Sequence, residues 1–180
     1  GIAGSITKMG LAMTGLSAFA GVGAIVEYGK KALDVAKQAE LSQTLLRNSL
    51  ANNNSLYDKS TQALDAAQKQ LNDYAAKWGK VGVISAGTIR AGYHELNNWN
   101  VPVDTVDGLS EALTNLVAGK FGINATAEDA QVASQAIGRA FNGDVAGLTK
   151  MKIPLTEAQK EIIKNGTEAE KLAAINEVVN

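Results

Sequence analysis

Apolar and small residues recur along this chain at alternating steps of three and four, a rhythm that predicts helices. Ile25, Tyr28, Ala32, Val35, Ala39, Ser42 and Leu46 keep it, while Glu27, Lys30, Lys31, Asp34 and Lys37 fall off the stripe. The spacing predicts a long amphipathic helix reaching about Leu50. Asn52-Asn53-Asn54-Ser55 ends it, because these side chains compete for backbone hydrogen bonds and favour turns. Ser60, Leu64, Ala67, Leu71, Tyr74 and Trp78 predict a second helix over about Ser60–Trp78. Two such helices joined by a short polar loop suggest an antiparallel hairpin. Gly79 and Gly82 mark a break. A shorter third stripe, Ala86, Ile89, Tyr93 and Leu96, is closed by Asn97-Asn98-Trp99-Asn100 and Pro102.

The helices then shorten. Asp104 or Thr105 is expected to cap a helix carrying Leu109, Leu113, Leu116 and Val117, and Phe121-Gly122-Ile123-Asn124 reads as a connector. Thr126 is expected to cap the next helix, with Glu128 and Asp129 at its positive end. Ala130, Ala133, Ile137 and Ala140 form its buried face, Asn142-Gly143 ends it, and Asp144 can cap a short helix through Leu148. Thr156-Glu157-Ala158-Gln159 and Thr167-Glu168-Ala169-Glu170 are capping boxes, and Asn165-Gly166 between them fits a left-handed C-terminal cap. No segment alternates as a strand would; the longest β-like run, Lys80–Ser85, is interrupted by Gly82. The expected fold is all-α: a long N-terminal helix forming a helical hairpin, followed by a bundle of short helices. The segments are 1–53, 54–100 and 101–180.

One stretch stands apart. Met9–Val26 carries no charge over 18 residues, the lower edge of a transmembrane candidate. Ala3, Thr7, Gly10, Thr14, Ser17, Gly21 and Ala24 place small residues in one stripe, beside a bulky stripe of Ile2, Ile6, Met9, Met13 and Leu16. Small faces let a second backbone come close, so self-association through Gly10, Thr14, Ser17 and Gly21 is expected. The bland alternative is a core helix of a soluble bundle. Lys8 and Ala18-Phe19-Ala20 loosely imitate a signal peptide, but the pattern runs on into Glu27–Leu50 without a turn.

Composition narrows the chemistry. A net charge of -1 argues against a nucleic-acid surface, and the absence of cysteine excludes disulfides and thiolate metal sites. His94 is the only histidine, so a histidine-rich metal site is impossible; it reads as a surface or half-buried helical residue beside Tyr93. Gly21-Val22-Gly23 follows no strand and does not continue as a dinucleotide fingerprint; Gly29-Lys30 and Gly119-Lys120 lack the rest of a phosphate loop. Trp78 and Trp99 are expected to anchor helix packing. Asn53, Asn124 and Asn165 open common glycosylation patterns, but Thr126 and Thr167 are better explained as caps. No catalytic, cofactor-binding or metal-binding residue is expected, and no enzymatic activity. The chain starts at Gly1 and ends at Asn180 inside a helical pattern, and so reads as a piece of a longer protein.

Residues 133–180 nevertheless carry a recognisable order: Ala136-Ile137-Gly138-Arg139-Ala140-Phe141-Asn142-Gly143, then Gly147-Leu148, then Ile153-Pro154-Leu155-Thr156-Glu157-Ala158-Gln159-Lys160, then Ile163-Lys164-Asn165-Gly166-Thr167. This stretch resembles the tape measure proteins of long-tailed bacteriophages. There, a helix ending A-x-x-G is followed by G-L-x-K-L-G-I and a helix starting L-T-x-x-Q. The chain departs at Met151-Lys152, where the family usually has leucine-glycine. Met9–Asn53 is similar to the family more loosely, as a glycine-alanine segment running into a long helix.

The resemblance implies a structural virion protein that lies extended in the tail tube and sets tail length. It implies the tail tube protein and tail assembly chaperones as partners, and residence in the host cytoplasm during assembly. It also implies a membrane-active role for the apolar segment, at the host membrane, during genome ejection. No sequence-specific nucleic-acid binding is expected. The competing class is a pore-forming toxin or bacteriocin-like helical domain, which would normally bury a longer apolar hairpin.

Overall fold

The computed structural model describes residues 22–180. Among these there are eight helices and no strand: α1 Val22–Asn52, α2 Thr61–Val81, α3 Ala86–Asn98, α4 Val103–Phe121, α5 Ala127–Phe141, α6 Ala146–Lys150, α7 Glu157–Asn165 and α8 Glu168–Val179. The described chain is all-α. Contacts divide it between Ala39 and Glu40 into two units. In the first, the described residues are the opening turns of α1. The stripe Gly10, Thr14, Ser17 and Gly21 lies outside the described residues, as does most of Met9–Val26.

The second unit, Glu40–Asn180, is built around α5. Helices α3, α4, α6, α7 and α8 all pack on it. Its sequence explains why: Ala130, Ala133, Ser134, Ala136, Gly138 and Ala140 are buried and small, so neighbours approach its backbone closely. At the crossing with α3, a Cβ on Gly92 would lie 2.6 Å from Ser134 Oγ and 2.8 Å from Leu113 Cδ2. The apolar stripes supply the rest of the core. Leu46 and Leu50 from α1, Leu71 from α2, and Ile89, Tyr93 and Leu96 from α3 are buried to 1% exposure or less. Burial on this scale is the main favourable term, roughly 1.5–3 kcal/mol for each large side chain.

Side-chain bonds tie the end of α1 to α2. Gln43 and Asn72 exchange amide hydrogen bonds, at 3.1 Å from Gln43 Nε2 and 3.0 Å from Asn72 Nδ2. Arg47 pairs with Asp65 and donates to Gln68 Oε1 at 3.2 Å.

Helix ends follow local chemistry, with departures from expectation: α2 runs through Gly79 to Val81, Val145 and not Asp144 holds the start of α6, and two further caps differ. Thr126, Thr156 and Thr167 each close a capping box, with the hydroxyl accepting from the third residue and that residue's side chain accepting in return. Left-handed caps occur at Asn100, Gly143 and Lys152, with φ of 57°, 93° and 58°. Each shows the paired bonds of a Schellman motif; at Lys152 these are Lys152 N to Thr149 O at 2.9 Å and Ile153 N to Leu148 O at 3.1 Å.

Gly166 is not such a cap: its φ is -70°, and its N–H donates to Ile162 O. Glycine is needed there for room, since a Cβ would lie 2.5 Å from Ile162 O. Nor does Asp104 or Thr105 cap α4. Pro102 holds that position, with no side-chain cap bond. Its extended backbone sets the chain direction, and Asp104 instead lies in the first turn and accepts from Gln70 Nε2 at 2.9 Å.

Candidate functional site

The residues that carry the family-like order converge around the C-terminal half of α5, and each has a packing or backbone task. Gly138 faces Trp99: a Cβ there would lie 2.8 Å from Trp99 Cβ and Cγ. Asn142 Nδ2 donates to Trp99 O at 2.7 Å and to Gly138 O at 2.9 Å, tying the end of α5 to the end of α3. Gly143 turns left-handed beneath α7, where a Cβ would approach Lys164 O to 3.2 Å. Asp144 accepts from Ala146 N at 2.8 Å, opening α6, and pairs with Arg139. These bonds hold the Asp144 carboxyl below its ordinary value, the Ala146 amide contributing most. Gly147 lets α6 lie on α5, because a Cβ there would be 2.8 Å from Ala136 Cα. The cluster is a set of close approaches, and its chemistry is that of a rigid turn.

A cleft of about 120 Å³ opens between α5 and α6, lined by Val132, Gln135, Ala136, Arg139, Gly147, Lys150 and Met151. It offers donors over an apolar floor but no nucleophile, carboxylate or imidazole on its wall. Among the described residues, no group of three or more His, Asp or Glu is placed to hold a metal. His94 is half-buried on α3 with Nδ1 unpartnered, and burial pushes its pKa down. Tyr93 beside it is fully buried; its hydroxyl meets Ser110 Oγ at 2.6 Å, and burial pushes its pKa up. Trp78 Nε1 donates to Asp107 Oδ1 at 2.8 Å, joining α2 to α4, with Lys77 Nζ bonded to the same carboxylate at 3.0 Å. Both tryptophans sit at helix–helix contacts. Among the described residues no helix is long and apolar enough to cross a membrane.

A buried polar network was not foreseen from the sequence. Asn53 is fully buried. Its Nδ2 donates to Asn97 Oδ1 at 3.2 Å and Val101 O at 2.9 Å, while Asn97 Nδ2 donates to Ser49 Oγ at 3.2 Å. Outside it, Asn54 N donates to Asn100 Oδ1 at 2.7 Å, and Ser55 Oγ bonds to Asn100 O. Lys59 Nζ caps the end of α1 through Leu50 O at 2.9 Å and through Asn53 O. The turn after α1 is thus locked to the turn after α3. One signal was readable: Asn53 falls seven residues after Leu46 and three after Leu50, on the apolar stripe. No family model matches the chain, and no curated protein and no solved structure matches it.

Proposed function

We propose that this chain is a helical module of a bacteriophage tail tape measure protein, a ruler within the tail tube. In this reading α1 and α2 form the hairpin that leads into a bundle of the shorter helices. The tail tube protein and the tail assembly chaperones are its partners, and Met9–Val26 is sheltered by protein in the assembled tail and becomes membrane-active on release.

The observation that supports the reading most is Lys152. At this position the family-like pattern has glycine, and the backbone here has φ of 58°, the conformation that glycine adopts without strain. The one clear departure from the pattern keeps the geometry that the pattern's glycine would serve. Gly138, Gly143 and Gly147 support it in the same way, since each sits where a Cβ or a right-handed backbone would not fit.

Tail length tests the proposal. Duplicating this segment in the phage gene should lengthen the tail, by at most about 1.5 Å for each added residue if its helices lie end to end in the tube, read by electron microscopy. Tails of unchanged length would refute a ruler role.

A further inference from the structure

We propose that α1 and α2 can straighten into one helix and exchange α1 with a second copy of this chain, giving a two-fold dimer centred on Tyr57. The inference rests on the turn itself and goes beyond the tail reading.

Four observations carry it. First, although Asn52–Ser55 favour a turn, neither glycine nor proline occurs between Lys30 and Trp78 in a chain with 18 glycines, so no residue of the turn forbids a helical backbone. Second, the three-and-four phase of the two helices carries across the turn, with Tyr57 the apolar residue on it between Leu50 and Leu64. Leu46, Leu50, Asn53, Tyr57, Ser60 and Leu64 follow at steps of 4, 3, 4, 3 and 4, and the same phase continues through Ala67, Leu71, Tyr74 and Trp78. A turn that merely joined two helices would have no reason to keep that register.

Third, Tyr57 lies on this stripe, yet it is 95% exposed in the closed form. Fourth, the residues that pair across α1 and α2 lie on either side of it at offsets that match to within two residues: Gln43 with Asn72, and Arg47 with Asp65 and Gln68. In two straight antiparallel helices with their axis at Tyr57, the same pairs would form between copies. Leu46 and Leu50 would fill the partner's core instead of their own, and the two Tyr57 rings would meet. Exchange of an identical element keeps the native contacts and gives a closed symmetric interface.

What holds the closed form is the bond set at the turn: Asn53 to Asn97 and Val101, Ser55 to Asn100, and Lys59 to the end of α1. Weakening it while raising helix propensity should favour exchange. The test uses the 180-residue chain with spin labels at Glu40→Cys and Asp73→Cys, clean sites because the chain has no cysteine. Labelled chains are diluted with unlabelled ones, so only the distance within one chain is read.

Asn53→Ala with Ser55→Ala should lower the dimer dissociation constant at least about tenfold, and the label distance in the dimer should be about 50 Å, the rise of a straight helix over that span. Tyr57→Pro, which interrupts a straight helix but not an exposed turn, should leave the chain monomeric with a short distance. A folded double variant that stays monomeric overturns the proposal. So does a dimer that keeps the short distance, or one that forms equally well with Tyr57→Pro. If the double variant does not fold, Asn100→Ala, which removes the acceptor of the Asn54 amide, is read by the same criteria.

Discussion

Lys152 holds a left-handed backbone that costs a residue with a Cβ roughly 1–2 kcal/mol. The Schellman bonds around it and the burial of Leu148 keep it there. Lys152→Gly is therefore expected to stabilise the protein by about 1 kcal/mol, offset in part by the greater freedom of glycine in the unfolded chain. Denaturant unfolding checks this through the midpoint, and a lower midpoint would refute the assignment.

His94 gives a second residue-scale expectation. Burial lowers its folded pKa, against a smaller opposing pull from Glu95. A histidine held neutral in the fold contributes stability above its unfolded value of 6.5, and that stability is lost as pH falls through the lower folded value. The carboxyls that are also lowered, Asp58, Asp144, Glu157 and Glu170, start from ordinary values of 3.8 or 4.5, well under 6.5, so among these groups the slope just below 6.5 comes from His94. The melting temperature should fall with acid in that window, and His94→Gln should flatten the fall.

At the scale of the element, capping and crossing decide stability in different ways. Thr156→Ala and Thr167→Ala each remove one hydroxyl acceptor at a helix start and should cost about 1 kcal/mol. Gly138→Val would instead drive a branched side chain into Trp99, and overpacking of this kind costs about 1–3 kcal/mol or more. Calorimetry of the three variants should rank Gly138→Val as the most damaging; equal melting temperatures would mean that α3 and α5 do not cross as described.

The capping boxes were legible because both partners lie within four residues. The stripes of α2, α3, α4 and α5 were legible because burial repeats with the helix. The letters Asn165-Gly166 suggest a left-handed cap because they do not distinguish a need for positive φ from a need for room beside Ile162 O. The sequence favours Asp104 over Pro102 at the start of α4 because it does not reveal that the Asp104 carboxylate is engaged by Gln70. The Asn53–Asn97 pair joins residues 44 apart, and only the fold brings them together.

At the scale of the whole molecule, the boundary between Ala39 and Glu40 falls inside α1, a continuous helix. The helix therefore serves two units, and its last turns belong to the second. Leu46 and Leu50 lie in that unit's core, and Ser49 and Asn53 belong to its polar network. A chain beginning at Glu40 keeps all of these contacts and should give a cooperative thermal melt. A chain beginning at Asn54 loses them together. Deleting one buried leucine side chain costs about 2–5 kcal/mol, and stranding Asn97 and the Val101 carbonyl adds the penalty of buried polar groups without partners. For a domain whose total stability is about 5–15 kcal/mol, the shorter chain should be largely unfolded. Circular dichroism and thermal melts of the two truncations decide the matter: a stable fold beginning at Asn54 would show that α1 leans on the bundle without completing it.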